Sequence, residues 1–155
     1  MAASQELARP TAVVRTGRRP VIVGLCVVSA ALMVWSGAIH LHLWQSAYRN
    51  ITIGHINTLF LTQAISSMVV GVALVVFRHV LVALAGLALM TGTVTGYLIS
   101  RYRTAGLFGF HLPITTSDAN RALVVEIAAI VLLAITAWLM AGGMSWLDRH
   151  TGRDV

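Results

Sequence analysis

Residues 59–100 read LFLTQAISSMVVGVALVVF-RH-VLVALAGLALMTGTVTGYLIS, two apolar runs (Leu59–Phe77 and Val80–Ser100) parted only by Arg78-His79. Each run is close to the ~20 residues that a helix rising 1.5 Å per residue needs to cross ~30 Å of hydrocarbon. So short a break leaves room only for a chain reversal, and the pair reads as a tight antiparallel hairpin of helices. Similar runs lie to either side, at Val21–Ile39 and Ala122–Met140. The fold class that follows is an all-α membrane protein, an antiparallel bundle of four transmembrane helices.

Composition points the same way. The chain has 155 residues, 57% of them apolar and 10% charged, with a mean hydropathy of +0.82. Soluble domains carry roughly 25% charged residues, and one this small has too much surface per volume to hide so much apolar area. A single membrane domain over residues 20–142 is expected. Residues 1–19 form a disordered or surface-lying basic tail and residues 143–155 a short cytoplasmic one. Ser36-Gly37-Ala38 has the small side chains of a signal-peptide cleavage site. The run around it is longer than a signal core, however, and continues amphipathically through His40, Trp44 and Tyr48, so an uncleaved span is expected. Cys26, the sole cysteine, falls inside the first run and reads as a buried structural thiol.

The net charge of +6 comes from arginine alone and is spread over tails and loops. With no basic patch or recognition module, nucleic acid is excluded as a partner. The arginines instead set orientation. Arg9, Arg15, Arg18, Arg19, Arg78, Arg149 and Arg153 fall on one side, against Arg49, Arg101, Arg103 and Arg121 on the other. The richer side is cytoplasmic, which puts both termini inside. The expected partners are the lipid bilayer and other membrane proteins or further copies of the chain. Along the third span Ala88, Gly92, Gly96 and Ser100 recur every fourth residue, a ridge that lets a neighbouring backbone approach. Ser67 and Gly71 on the second span offer a groove for it. The fourth span opens with Thr116, Ser117 and Asp118 as candidate caps and ends at Gly142-Gly143, ahead of Trp146.

Polar residues inside the spans are few, so each is informative. Glu126 is the one acid within an apolar run. At that depth a carboxyl needs a partner or water and is a functional candidate. Arg49, Arg101, Arg103 or an outer histidine could pair with it, either as a fixed lock between helices or as a proton-handling site. His40, His42, His55 and His111 all fall toward the outer side, and imidazole binds copper and haem iron. In a helix, residues two apart point about 200° away from each other, so His40 and His42 cannot share one ion there. The connection Arg101–Ala119 is long and mixes Tyr102, Leu107, Phe108 and Phe110 with Gly106, Gly109 and Pro113. That composition predicts an interfacial loop between helices three and four. The chain has no phosphate-cradling glycine loop, nucleophile elbow, zinc-protease helix or paired carboxylates.

These features rank three functions. The first is a non-catalytic accessory or partner-binding protein. The second is a small proton-coupled transporter using Glu126, and the third a haem- or copper-binding redox protein using the outer histidines.

The strings His40-Leu41-His42-Leu43-Trp44, Tyr48-Arg49, Leu59-Phe60-Leu61 and Gly106-Leu107-Phe108-Gly109-Phe110, with Glu126 in the last span, carry a resemblance over residues 36–130. The chain resembles small four-span membrane proteins of high-GC Gram-positive (actinomycete) bacteria. That resemblance implies a bacterial plasma membrane and no particular activity. It departs from the pattern at Ile51-Thr52-Ile53, which lacks a proline found there in such proteins.

Overall fold

The computed structural model describes residues 14–112 and 117–142. Four long helices carry the fold: α1 (Val14–Leu43), α2 (Ile56–Phe77), α3 (Val80–Tyr102) and α4 (Ser117–Met140). Among the described residues there is no strand, only an isolated bridge between Leu107 and Phe110. All four helices are long and apolar enough to cross a membrane. Such a set makes the chain compatible with a multi-pass membrane protein.

Buried Cys26, Ala30, Met33, Gly37 and His40 on α1 alternate steps of four and three residues, with buried Ser29, Ser36 and Leu43 beside them. That spacing keeps one stripe of a helix facing its neighbours. On α2 the stripe is Gln63, Ala64, Ser67, Gly71 and Leu74; on α4 it runs through Ala122, Glu126, Ala129 and Leu133 to Ala137. Helix α1 packs against both α2 and α4, and α3 against α4, while α2 and α3 touch more sparsely. The core cluster joins Cys26, Met33, Leu74, Ala83, Met90 and Leu133. Small residues make it possible. A Cβ on Gly86 would lie 3.1 Å from Met33 Sδ, and one on Gly37 only 2.9 Å from the Ala64 carbonyl oxygen.

The apolar residues that do not pack inward cover the outside. Val69, Leu81 and Val124 are 61%, 65% and 68% exposed, whereas Ser36 and Glu126 are 0% and 2% exposed. An exterior of valine and leucine around buried serine, histidine and glutamate is compatible with lipid surroundings.

The first helix starts earlier than expected and runs on through Tyr48 as expected, with a widened last turn. It begins at Val14, so residues 14–19, read as tail, are helical, and Pro20 lies inside the helix without ending it. At its far end the ladder widens into a π-helical turn, Trp44–Tyr48, closed by Arg49 N–H donating to the Trp44 carbonyl at 2.8 Å. The Arg78-His79 link is a true two-residue connection. Arg78 takes the left-handed conformation (φ 45°) with its N–H on the Leu74 carbonyl, and His79 Nδ1 accepts from Leu81 N–H at 3.2 Å. Together they satisfy amides and carbonyls that helix ends leave open. Helix α4 starts at Ser117 and gives way to Gly142 with φ 100°. The expected features at Thr116, Pro113, Gly143 and Trp146 lie outside the described residues.

Candidate functional site

Ser36 and His40 lie one helical turn apart on the inner stripe of α1 and face α4. There the Ser36 hydroxyl donates to Glu126 Oε1 at 3.0 Å, and His40 Nε2 stands 3.7 Å from the same oxygen. The second distance is an ion-pair separation, too long for a hydrogen bond. His40 Nδ1 lies 3.0 Å from the Ser36 carbonyl oxygen. A carbonyl can only accept, so Nδ1 carries a hydrogen and the Nε2 lone pair of a neutral imidazole faces the carboxyl.

This cluster borders a cavity of about 350 Å³ to which every helix contributes. From α1 and its π turn come His40, Leu43 and Tyr48, and from α2 Leu59, Phe60 and Gln63. Helix α3 supplies Gly92, Gly96 and Tyr97, and α4 supplies Ala122, Leu123 and Glu126. Leu59, Ala88 and Gly92 line the space and are themselves exposed, so it opens sideways where α2 and α3 stand apart. Tyr48 stacks on Phe60 with ring centroids 4.2 Å apart, and Phe110 meets Tyr48 edge-on at 5.9 Å. Apolar walls around a few convergent polar groups are the ordinary make-up of a small-molecule site, and the volume falls within the ~300–1,000 Å³ typical of such sites.

The loop after α3 forms the cavity's roof. Leu107 and Phe110 exchange both backbone hydrogen bonds at 2.9 Å, closing a two-residue turn of Phe108 (φ 49°) and Gly109 (φ 84°). Two successive positive φ values are the type I′ geometry that favours tight hairpins. The turn sends Leu107 and Phe110 to the cavity and leaves Phe108 73% exposed. Gly54 (φ 59°) seats the loop on the α1–α2 connection, since a Cβ there would lie 2.7 Å from the Phe108 carbonyl oxygen. Leu112 N–H donates to the Ser100 carbonyl, and Arg101 Nη1 donates to the Leu112 carbonyl at 3.3 Å.

The expected site residues therefore divide. Of the candidate metal ligands, His40 alone borders the cavity. His42 and His55 are exposed, and exposed His111 donates from Nε2 to the Thr104 carbonyl. Among the described residues no three His, Cys, Asp or Glu side chains converge as a metal ion requires. Glu126 meets His40 and Ser36. Arg49 is exposed with its guanidinium 5.6 Å from the Trp44 ring, and Arg103 is exposed. The small-residue ridge also serves differently from the packing role expected of it. Ala88, Gly92, Gly96 and Ser100 form the α3 wall of the cavity, and a Cβ on Gly92 would meet nothing within 4 Å. Ser67 and Gly71 do receive a neighbouring helix, but it is α1. A Cβ on Gly71 would lie 3.2 Å from the Ala30 carbonyl oxygen, and Ser67 Cβ lies close to Gly37.

Sequence reasoning missed Ser36, Tyr48, Phe60, Gln63 and Phe110 as site residues. One signal was available: Ser36 precedes His40 by a single turn on the same apolar helix.

No family model matches the chain, and no curated protein or solved structure shows significant similarity to it. The functional reading therefore rests on the cavity and its polar cluster.

Proposed function

We propose that the protein is a non-catalytic binding protein of a bacterial plasma membrane, an antiparallel four-helix bundle that holds a small lipophilic molecule in its outer half. The carrying observation is the cavity of about 350 Å³, apolar except for Glu126, His40 and a few other polar groups on its wall, with Ser36 bonded to Glu126 behind it. An antiparallel arrangement is supported by the order of contacts: Gly37 faces Ala64 while Gly71 faces Ala30, and Ser36 meets Glu126 while Met33 and Leu133 share Gly86. Arg78 stands at one end, and Arg49, Arg101, Arg103 and Arg121 at the other. Taken with the arginines of both tails, that supports cytoplasmic termini and an outward-lying cavity. The sideways opening between α2 and α3 gives a membrane-dissolved molecule a direct way in.

The test uses 1-fluoro-4-tert-butylbenzene with the full chain in lipid nanodiscs, followed by fluorine NMR. A saturable protein-bound resonance is expected, and Gly92→Leu, which fills open space, should remove it. Identical spectra for the two proteins would contradict the proposal.

A second reading, a proton-coupled carrier, draws on the apposition of His40 and Glu126 at the cavity edge.

A further inference from the structure

The proton count of the Glu126–His40 pair follows from its geometry. Nδ1 is committed to the Ser36 carbonyl, so neutral His40 turns a bare Nε2 toward Glu126 Oε1, 3.7 Å away. With no proton on the pair, a carboxylate is buried at net charge −1 against a lone pair, with the Ser36 hydroxyl as its donor. With two protons, an imidazolium faces a neutral acid at net charge +1. Either state leaves a buried charge uncompensated, which is expensive away from water. One proton, on nitrogen or on oxygen, leaves the pair neutral.

The groups facing this pair leave that count alone. Helix α2 presents Gln63, bonded to Ser67 at 3.1 Å. Helix α3 presents Tyr97, the π turn Tyr48, and the roof Leu107, Phe110 and Leu112. Among the described residues no arginine lines the cavity. The rings of Tyr48, Phe60 and Phe110, which carry no charge, border it instead.

We infer that the cavity binds lipophilic organic monocations in one-for-one exchange for the proton shared by Glu126 and His40. The balance is simple: protonated pair plus monocation gives the deprotonated pair with its bound cation and one free proton. Charge in the cavity stays the same and no covalent bond to carbon changes. Because binding releases a proton, affinity rises with pH, by as much as tenfold per unit while the free pair remains protonated. This inference rests on the cavity reading above and adds the ligand's charge and the coupled proton.

Two isosteres that differ in charge test it, 4-fluorophenyltrimethylammonium and 1-fluoro-4-tert-butylbenzene. Both are titrated into the full chain in nanodiscs by fluorine NMR, with proton release followed by an indicator dye in weak buffer. The cation should release one proton per molecule bound and bind more tightly as pH rises, whereas the neutral compound should release none. Glu126→Gln should weaken the cation at least tenfold and retain the neutral compound. The wild-type comparison of isosteres stands even if that variant fails to fold. Equal, pH-independent binding of both compounds without proton release overturns the exchange while leaving the cavity reading intact. If neither compound gives a bound resonance, the cavity reading itself fails.

Discussion

Glu126 stood out in the sequence because it is the one acid in an apolar run, but its surroundings did not. Its partners lie on α1, and which turn of α1 faces which turn of α4 depends on how the two helices slide together. Periodicity within one helix carries no such information. Ser36 therefore passed for a small residue, and His40 was one of several candidate partners. The geometry separates two substitutions. In Glu126→Gln the amide oxygen can still accept from Ser36 and the side chain keeps its volume, so the fold should survive. Glu126→Ala leaves Ser36 and His40 without that partner beside a new void, a cost of about 3 kcal/mol by the usual penalties for unpaired polar groups and cavities. Thermal unfolding in detergent should show a near-native midpoint for the first and a clearly lowered one for the second. Equal midpoints for the two variants would argue against the pairing.

At the scale of elements, the four helices were legible from hydrophobic run length, and the Arg78-His79 connection from the absence of any other linker. The π turn at Trp44–Tyr48 was not, since nothing in that segment distinguishes a ladder closing five residues back from one closing four. Glycine spacing in residues 106–110 marked the loop as irregular, but it did not show that Phe108 takes a positive φ or that Phe110 reaches Tyr48. The turn makes opposite predictions for its two phenylalanines. Phe108 is exposed and left-handed, so Phe108→Gly relieves a conformational cost of roughly 1–2 kcal/mol and should leave stability unchanged or raised. Phe110 packs edge-on against Tyr48 at the roof, so Phe110→Ala should lower it. Paired melting curves check the contrast; a loss with Phe108→Gly and none with Phe110→Ala would refute the assigned turn.

For the whole molecule, the organising feature is an aliphatic exterior around a core that mixes apolar residues such as Met33, Leu74 and Leu133 with buried serine, threonine, histidine and glutamate. The sequence announced the solvent through its hydropathy, but not which small residues hold helices together and which leave space. Gly71 and Gly92 look alike as members of glycine-containing apolar runs. One is closed by α1 and the other opens onto the cavity, because α2 packs closely on α1 and only sparsely on α3. Spin labels at single cysteines introduced into a Cys26→Ala background, with the protein in lipid vesicles, test this aliphatic exterior most directly. Collisions with dissolved oxygen report contact with acyl chains, and collisions with a water-soluble nickel chelate report contact with water. Labels at Val69→Cys and Val124→Cys should collide freely with oxygen and hardly at all with the chelate. Strong chelate access at both positions would contradict the account.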